Sequence, residues 1–176
     1  LRDQTVNGKK FEIVVPLYSE LMARGAGQNI KGIIGSQNWD WSLEDKLGAR
    51  YAGTNAFVKS FGTKYGFPPS QAAHTCYVQT LLYADAVTRG GSFNPCAIGE
   101  ALEDFSFDGL GNGPTLYRGS DHQCFKDVLV VKGKEEPENQ YDLVEIVEVT
   151  PAEQVTYDVD HPQMAGGSLG TCNPGA

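Results

Sequence analysis

Two short apolar runs flank a helical pattern near the start of the chain. Residues 11–17 (FEIVVPL) are apolar at all but one position, which is typical of a strand buried on both faces of a sheet. Residues 18–27 predict a short helix, with Ser19 as its N-cap and a glycine at its end. A second apolar run at 30–36 predicts another strand. Strand, helix and strand in so short a segment predict a compact, right-handed βαβ unit.

Three longer helical patterns follow this unit. Residues 49–65 predict an amphipathic helix, because one stripe of it carries Ala52, Ala56, Phe57, Phe61 and Tyr65. Residues 71–89 are apolar around most of the helix, so we expect neighbouring elements to bury this helix. Asn94 is a suitable N-cap and Pro95 a preferred first-turn residue for a third helix over 95–104.

The hydrophobic period changes from helical to alternating in the last third of the chain. A glycine-rich loop at 107–114 precedes three predicted strands, 115–118, 127–132 and 141–149. A charged turn containing a proline separates the last two, which predicts a β-hairpin. Residues 151–176 show no clear period, and we expect this tail to lie over a surface of the molecule.

Composition and charge narrow the function classes. The chain has 176 residues, 22 acidic and 14 basic, with a formal net charge of −8. An anionic surface repels nucleic acid and anionic lipid, so neither is an expected partner. No apolar run approaches the roughly 20 residues of a membrane span. The chain begins at Leu1 without an initiator methionine or a signal-peptide pattern, so we expect a processed or truncated product.

The cysteines and histidines do not predict a metal site or a nucleophile. His74 and Cys76 lie two residues apart on a predicted helix and therefore point to different faces, which disfavours a shared zinc ion even with His122 and Cys124 available. No cysteine lies in the basic, glycine-flanked setting that activates a thiol. We therefore predict neither a catalytic residue nor a metal or other cofactor.

The four cysteines fit an oxidising compartment, although buried free thiols are an alternative. A helical hairpin turning after residue 89 places Cys76 about 18 Å from Cys96, too far for a disulfide. We predict instead a Cys124–Cys172 bridge that fixes the tail, with Cys124–Cys76 as the alternative.

Candidate binding residues follow the first two predicted strands. Open α/β sheets bind ligands at the carboxyl ends of their strands, where residues 37–41 (QNWDW) lie. Trp39 and Trp41 either fill the core or form an aromatic wall for an organic solute. The hydroxyl groups of Tyr18 and Ser19 are placed to bind a carboxylate at a helix N-terminus, although Ser19 is equally explained as a helix cap.

Residues 11–149 as a whole resemble the second half of extracellular solute-binding proteins of branched-chain amino-acid-type ABC transporters. One helix carries a motif of spaced aromatic residues (Phe57, Phe61 and Tyr65). The next carries a Pro-x-x-Ala-Ala-x-x-x-Tyr motif (Pro69, Ala72, Ala73 and Tyr77), and the stretch 84–102 adds to the resemblance. Together these motifs are fairly specific.

The resemblance implies an α/β, type I periplasmic-binding-protein-like fold, with parallel sheets flanked by helices in two lobes joined by hinge strands. By this resemblance, residues 1–36 form part of lobe two, 37–115 the helical part of lobe one, and 116–176 return to lobe two with a hairpin and tail. The family's proteins are about twice as long, so this chain corresponds to their C-terminal portion.

The resemblance also implies a function: capture of a small organic solute, unchanged chemically, for an ABC importer in the periplasm or outside the cell. The partners implied are the solute, the membrane permease and the N-terminal half of the same protein. Tyr18 and Ser19 match a cleft loop of lobe two, and Trp39 and Trp41 match a loop that lines the solute. Because this chain has two tryptophans there, the expected solute is either an amino acid or an aromatic or carboxylate compound. The alternative role is a ligand-sensing domain of a receptor or regulator.

Overall fold

The computed structural model describes residues 5–6, 8–162 and 172. Its strands are β1 (Thr5–Val6), β2 (Lys9–Lys10), β3 (Val14–Val15), β4 (Ile34–Gln37), β5 (Phe105–Phe107), β6 (Thr115–Arg118), β7 (Gln123–Phe125), β8 (Val128–Gly133) and β9 (Val144–Thr150). Its helices are α1 (Glu20–Ala26), α2 (Leu43–Leu47), α3 (Thr54–Tyr65), α4 (Gln71–Gly90), α5 (Pro95–Leu102) and α6 (Ala152–Val155). No helix in the described part of the chain is both long and apolar enough to cross a membrane.

The main sheet has the strand order β3-β4-β8-β9. Strands β3 and β4 are parallel and joined through α1, which confirms the predicted βαβ unit. The expectation that its first strand is buried on both faces is wrong, because β3 has only two residues and Val14 is 62% exposed. Strands β8 and β9 form the predicted hairpin, and β8 pairs with β4 in the antiparallel direction. Parallel pairing is therefore limited to β3 and β4 among the described strands, because the predicted hairpin reverses the chain and adds antiparallel strands. The α/β class itself is confirmed.

One face of this sheet carries the core. Burial alternates along β8, with Leu129 and Val131 almost completely buried. Their partners on β4 are Gln37 and Gly35, which therefore point to the same face. The cluster on this face draws on distant parts of the chain: Tyr18, Ala23, Ile30, Trp39, Leu43, Tyr51, Leu129, Val131 and Val144.

Helix α4 is buried along only one stripe. The stripe follows a three- and four-residue spacing: Gln71, His74, Val78, Leu82 and Ala86. On one flank of this stripe Tyr77 and Leu81 are exposed, and on the other flank Tyr83 is exposed. The described residues therefore do not bury most of this helix, and its burial by further polypeptide stays a prediction.

A second, antiparallel sheet has the order β5-β6-β7. Only β6 is predicted from the sequence. Helix α5 starts as expected, because the side chain of Asn94 accepts a hydrogen bond from the N–H of Cys96 at 2.8 Å. It ends at Leu102, since Asp104 has a left-handed backbone (φ 53°), and Phe105 then enters β5 instead of extending the helix.

The predicted Cys124–Cys172 disulfide is wrong. Cys172 is bonded to Cys96 at the start of α5, with 5.5 Å between their Cα atoms. Cys124 lies on β7 opposite Tyr117 and is a free thiol, as is Cys76, so the alternative Cys124–Cys76 bridge is wrong as well. Cys172 is nevertheless held by a bridge, to Cys96 of α5, while residues 163–171 and 173–176 of the predicted tail lie outside the described residues.

Candidate functional site

The candidate site lies where β3 and β4 end. Because these strands are parallel, their carboxyl ends meet at one edge of the sheet, and the loops that follow are neighbours. The N–H of Tyr18, after β3, donates to the carbonyl oxygen of Ser36 on β4 at 2.9 Å. The structure thus brings together the two segments that contain the predicted binding residues.

Tyr18 packs closely against β4. Its side chain is only 3% exposed, and a Cβ added at Gly35 would lie 2.6 Å from the Tyr18 ring, so the close approach requires a glycine there. The hydroxyl group has no hydrogen-bond partner among the described residues. Burial raises the pKa of this phenol, so Tyr18 is neutral and its hydroxyl can both donate and accept.

Ser19 acts as the N-cap of α1. Its Oγ accepts a hydrogen bond from the N–H of Met22 at 3.2 Å, which confirms the predicted capping role. The acidic Glu20 and the basic Arg24 then occupy the first and last turns of α1, as the helix dipole favours.

Trp39 is a core residue. It is 0% exposed, and its ring stacks on that of His74 at 4.2 Å between centroids and 4° between planes. Burial lowers the pKa of His74 to about 4, so its ring is neutral, and Nε2–H donates to the carbonyl oxygen of Leu110 at 2.7 Å. Of its two interpretations, the structure supports core packing, because Trp39 presents no surface to a solute.

Trp41 lines a cavity of about 90 Å³, which we call the Trp41 cavity. Its walls come from α1, the end of α3, the loop before α4 and the loop before β9, and include Glu20, Arg24, Trp41, Phe61, Phe67 and Tyr141. A wider groove of about 550 Å³ shares Trp41, Phe67 and Tyr141 with this cavity. The combined space is walled by aromatic rings, which suits a planar organic solute.

Two charged side chains of α1 line the same cavity. The Glu20 carboxylate accepts the N–H of Gln71 at 3.2 and 3.3 Å from its two oxygens. Burial, with a smaller contribution from the charge of Asp40, raises the pKa of Glu20 to about 7. The Arg24 guanidinium lies over the Tyr141 ring, 5.2 Å from its centroid, and offers a cation to a solute carboxylate.

Asp40 has a structural role between the two tryptophans. Its Oδ1 accepts hydrogen bonds from the N–H and the hydroxyl of Ser42, the N–H at 2.9 Å, and this turn leads into α2. The carboxylate is almost completely buried and is satisfied by these contacts.

Sequence reasoning missed several lining residues of the Trp41 cavity. Glu20 and Arg24 are four apart on a predicted helix and so share a face, a usable signal. Phe61 lies on the predicted stripe of α3. Phe67 and Tyr141 carry no local signal, because only the packing of distant loops brings them to the cavity.

Unpaired polar atoms cluster around the same strand ends. Within the described residues, buried side-chain atoms without a hydrogen-bond partner occur on Tyr18, Gln37, Asn38, Trp39, His74 and Asn112. The first four follow or end β3 and β4. An unpaired buried polar group costs about 1–3 kcal/mol, and such groups are typical of places where a ligand or ordered water binds.

Comparison with solved structures places this fold among binding proteins. An amino-acid ABC transporter substrate-binding protein from Pseudomonas fluorescens matches 81% of the chain at 19% identity and a TM-score of 0.69. A branched-chain amino-acid ABC transporter periplasmic ligand-binding protein from Burkholderia xenovorans matches 85% at 23% identity and a TM-score of 0.68. An ABC transporter solute-binding protein from Rhodopseudomonas palustris, in complex with 3,4-dihydroxybenzoic acid, matches 80% at 14% identity and a TM-score of 0.62.

These likenesses concern only part of each relative. The chain spans 37%, 38% and 37% of the length of those three proteins, respectively. A comparison with curated protein sequences gave no match. The family model for periplasmic binding proteins matches residues 1–138, more than three quarters of the chain. The chain therefore belongs to the periplasmic binding protein family.

Proposed function

We propose that this chain is part of a solute-binding protein that captures a small organic solute and delivers it, chemically unchanged, to an ABC importer. The observation that carries the proposal is the Trp41 cavity together with the groove of about 550 Å³ that shares its aromatic side chains, in a binding-protein fold. A solute ring packs between Trp41 and the neighbouring aromatic side chains, and its charged group meets α1.

Tyr18 and Ser19 belong to the proposed binding loop after β3. The neutral Tyr18 hydroxyl is buried and has no hydrogen-bond partner among the described residues, and we propose that it bonds a solute or ordered water enclosed at the strand ends. Ser19 contributes mainly by fixing the start of α1, since its Oγ is engaged by Met22. Trp39 supports the loop after β4 from inside the core.

The proposed solute class is an amino acid or an aromatic carboxylate. Aromatic walls favour a ring, and the Arg24 guanidinium favours a carboxylate. The related proteins described above include an amino-acid transporter component and one in complex with 3,4-dihydroxybenzoic acid.

The proposed partners follow from the transport role. They are a membrane permease and further polypeptide of the same protein, and the proposed location is the periplasm or the cell exterior. We propose the division into 1–36 and 116–176 in lobe two and 37–115 in lobe one, in which the first boundary falls one residue before the end of β4.

The proposal is tested on the protein as it is naturally produced. Its melting temperature is measured with L-phenylalanine, L-leucine, benzoate and 3,4-dihydroxybenzoate, and each solute is then recovered and analysed by mass spectrometry. A ligand at 100 times its dissociation constant adds about 2.7 kcal/mol to the free energy of unfolding, which gives a clear thermal shift. We expect a shift with at least one ring-containing acid and its recovery unchanged.

The matched control is the Trp41→Ala variant, which should lose most of the shift. Absence of a shift with every solute in the set, or conversion of a bound solute to a product, would contradict the proposed function.

A further inference from the structure

Gln71, the first residue of α4, joins the loops that follow β3 and β4. Its side-chain Nε2 donates to the carbonyl oxygen of Tyr18 at 2.9 Å. Its Oε1 accepts the N–H of Asn38 at 3.4 Å. Its own backbone N–H donates to the Glu20 carboxylate. Gln71 is 9% exposed, so water competes little for these contacts.

The two side-chain contacts require an amide. One neighbour, Tyr18, presents a carbonyl oxygen, which needs a donor, and the other, Asn38, presents an N–H, which needs an acceptor. A carboxylate cannot donate and an ammonium group cannot accept, whereas a side-chain amide does both at once. Of the two protonation states of a glutamate at this position, only the neutral, protonated acid can donate to one neighbour and accept from the other.

The first two turns of α4 hold Gln71 in a fixed place. Ser70 caps the helix by accepting the N–H of Ala73 at 3.2 Å, and His74 stacks on Trp39 one turn later. The hydrogen bonds of Gln71 therefore attach both loops to the same rigid helix. The loops carry the unpaired polar atoms of Tyr18 and Asn38.

We propose that Gln71 is a positioning residue, which sets the relative placement of the two binding loops without itself lining the Trp41 cavity. This inference rests on the proposed function, because it assigns Gln71 a role in solute affinity. If it is correct, Trp41, three residues beyond Asn38, moves when the Gln71 amide is lost.

Three charged or titratable groups face the Glu20 end of this contact. Asp40 comes from the loop after β4, Arg24 from the last turn of α1, and Tyr141 from the loop before β9. From α4, the group that reaches Glu20 is the neutral N–H of Gln71. A carboxylate introduced at position 71 therefore adds an acid next to Glu20, which already interacts with the charge of Asp40, with Arg24 lining the same cavity as Glu20.

The test uses tryptophan labelled with fluorine-19 and follows the Trp41 resonance with pH in wild type, Gln71→Glu and Gln71→Met. In Gln71→Glu we expect a wild-type-like Trp41 resonance at acidic pH, where the introduced acid is protonated and can donate to Tyr18. At higher pH we expect the resonance to shift or split. In Gln71→Met it should be displaced at every pH. Wild type, which also contains Glu20, is the reference at each pH.

The matched controls are Gln79→Glu and Gln79→Met, because Gln79 is exposed on the same helix. They should leave the Trp41 resonance and solute affinity unchanged. Affinity for 3,4-dihydroxybenzoate and L-phenylalanine should fall about tenfold in Gln71→Met, and in Gln71→Glu only at the higher pH. If the side chain at position 71 only filled space, the effect of Gln71→Glu on the Trp41 resonance and on affinity would not be reversed by lowering the pH.

Two results would overturn the inference: a Trp41 resonance in Gln71→Glu that follows wild type at every pH, or a displaced resonance with unchanged affinity. The spectroscopic measurement needs no solute. A wild-type protein that binds no solute of the four-member set therefore contradicts the proposed function, while the Trp41 resonance still decides whether Gln71 positions the loops.

Discussion

At the scale of single residues, Gly35 determines how closely β3 and the loop after it approach β4. A Cβ at this position would lie 2.6 Å from both the Tyr18 ring and the carbonyl oxygen of Val15. The neighbours are a buried ring and a backbone oxygen, and neither can move without disturbing the sheet or the binding loop.

We expect Gly35→Ala to lower the free energy of unfolding by about 2 kcal/mol or more, because it overpacks the core at Tyr18. Chemical denaturation measures this change. The matched control is Gly25→Ala in α1, where a Cβ meets nothing within 4 Å and alanine favours the helix. Equal stability of the two variants would contradict the packing described for Tyr18.

The two tryptophans show how far a sequence can locate a site at the residue scale. Because both tryptophans follow a predicted strand, the sequence correctly placed them near the carboxyl ends of the strands. Which ring enters the core was not predictable, because it depends on the place of His74 on α4, a contact across 35 positions of the chain. Trp41 instead lines the Trp41 cavity together with Tyr141, which is 100 positions away in the chain.

At the scale of elements, the contact between α1 and α4 introduces a pH dependence. The Glu20 carboxylate caps the start of α4 through Gln71, yet burial raises its pKa from 4.5 to about 7. The folded protein therefore holds this proton to a higher pH than the unfolded chain. The contribution of Glu20 to stability is greatest below pH 4.5 and is lost as pH rises to about 7.

The Glu20→Gln variant should remove this dependence. We expect the difference in free energy of unfolding between wild type and Glu20→Gln to change by up to about 3 kcal/mol between pH 4.5 and 8, in the direction of a relatively more stable variant at high pH. Urea denaturation at several pH values measures it, with Glu145→Gln on the exposed side of β9 as the control. Parallel curves for wild type and Glu20→Gln would argue against the raised pKa.

The disulfide between Cys96 and Cys172 closes a long loop, with 76 positions between its ends. Replacing both cysteines by serine should lower the free energy of unfolding by about 4 kcal/mol, since the unfolded chain regains the entropy of that loop. The control replaces the free thiols Cys76 and Cys124. Peptide mapping without reduction identifies the pairing, and recovery of a Cys124–Cys172 peptide would refute the bridge described above.

Elements with strong local signals were predictable, and those defined by distant partners were not. Ser19, Ser70 and Asn94 cap the helices that their sequences indicate. Strands β5 and β7 have three residues each, too few to show a period, and exist because β6 pairs with both. The partner of Cys172 was missed for the same reason, because no pattern in the chain places the tail against α5.

At the scale of the whole molecule, apolar side chains remain exposed on and beside α1 and α4. Leu17 is 71% exposed beside α1, and Phe93 is 77% exposed between α4 and α5. Others on these surfaces are Leu21, Met22, Tyr77, Leu81 and Tyr83. Exposed apolar surface on this scale is typical of faces that another part of a protein covers.

We therefore expect the isolated 176-residue chain to bind the dye ANS and to self-associate, because water contacts these faces. Native mass spectrometry and ANS fluorescence measure both properties. In the naturally produced protein we expect further polypeptide to cover the faces and to suppress both signals. A cooperatively folded 19.0 kDa monomer without ANS binding would contradict this expectation.

Trp41, and not Trp39, is the residue that we propose as the aromatic wall of the solute site. Isothermal titration calorimetry of the naturally produced protein with 3,4-dihydroxybenzoate and L-phenylalanine tests it most directly. We expect Trp41→Ala to weaken binding by about 1–3 kcal/mol with little change in the free energy of unfolding, and Trp39→Ala to destabilise the fold by about 3–5 kcal/mol. Unchanged affinity in Trp41→Ala, with wild type binding the same solute, would contradict the account.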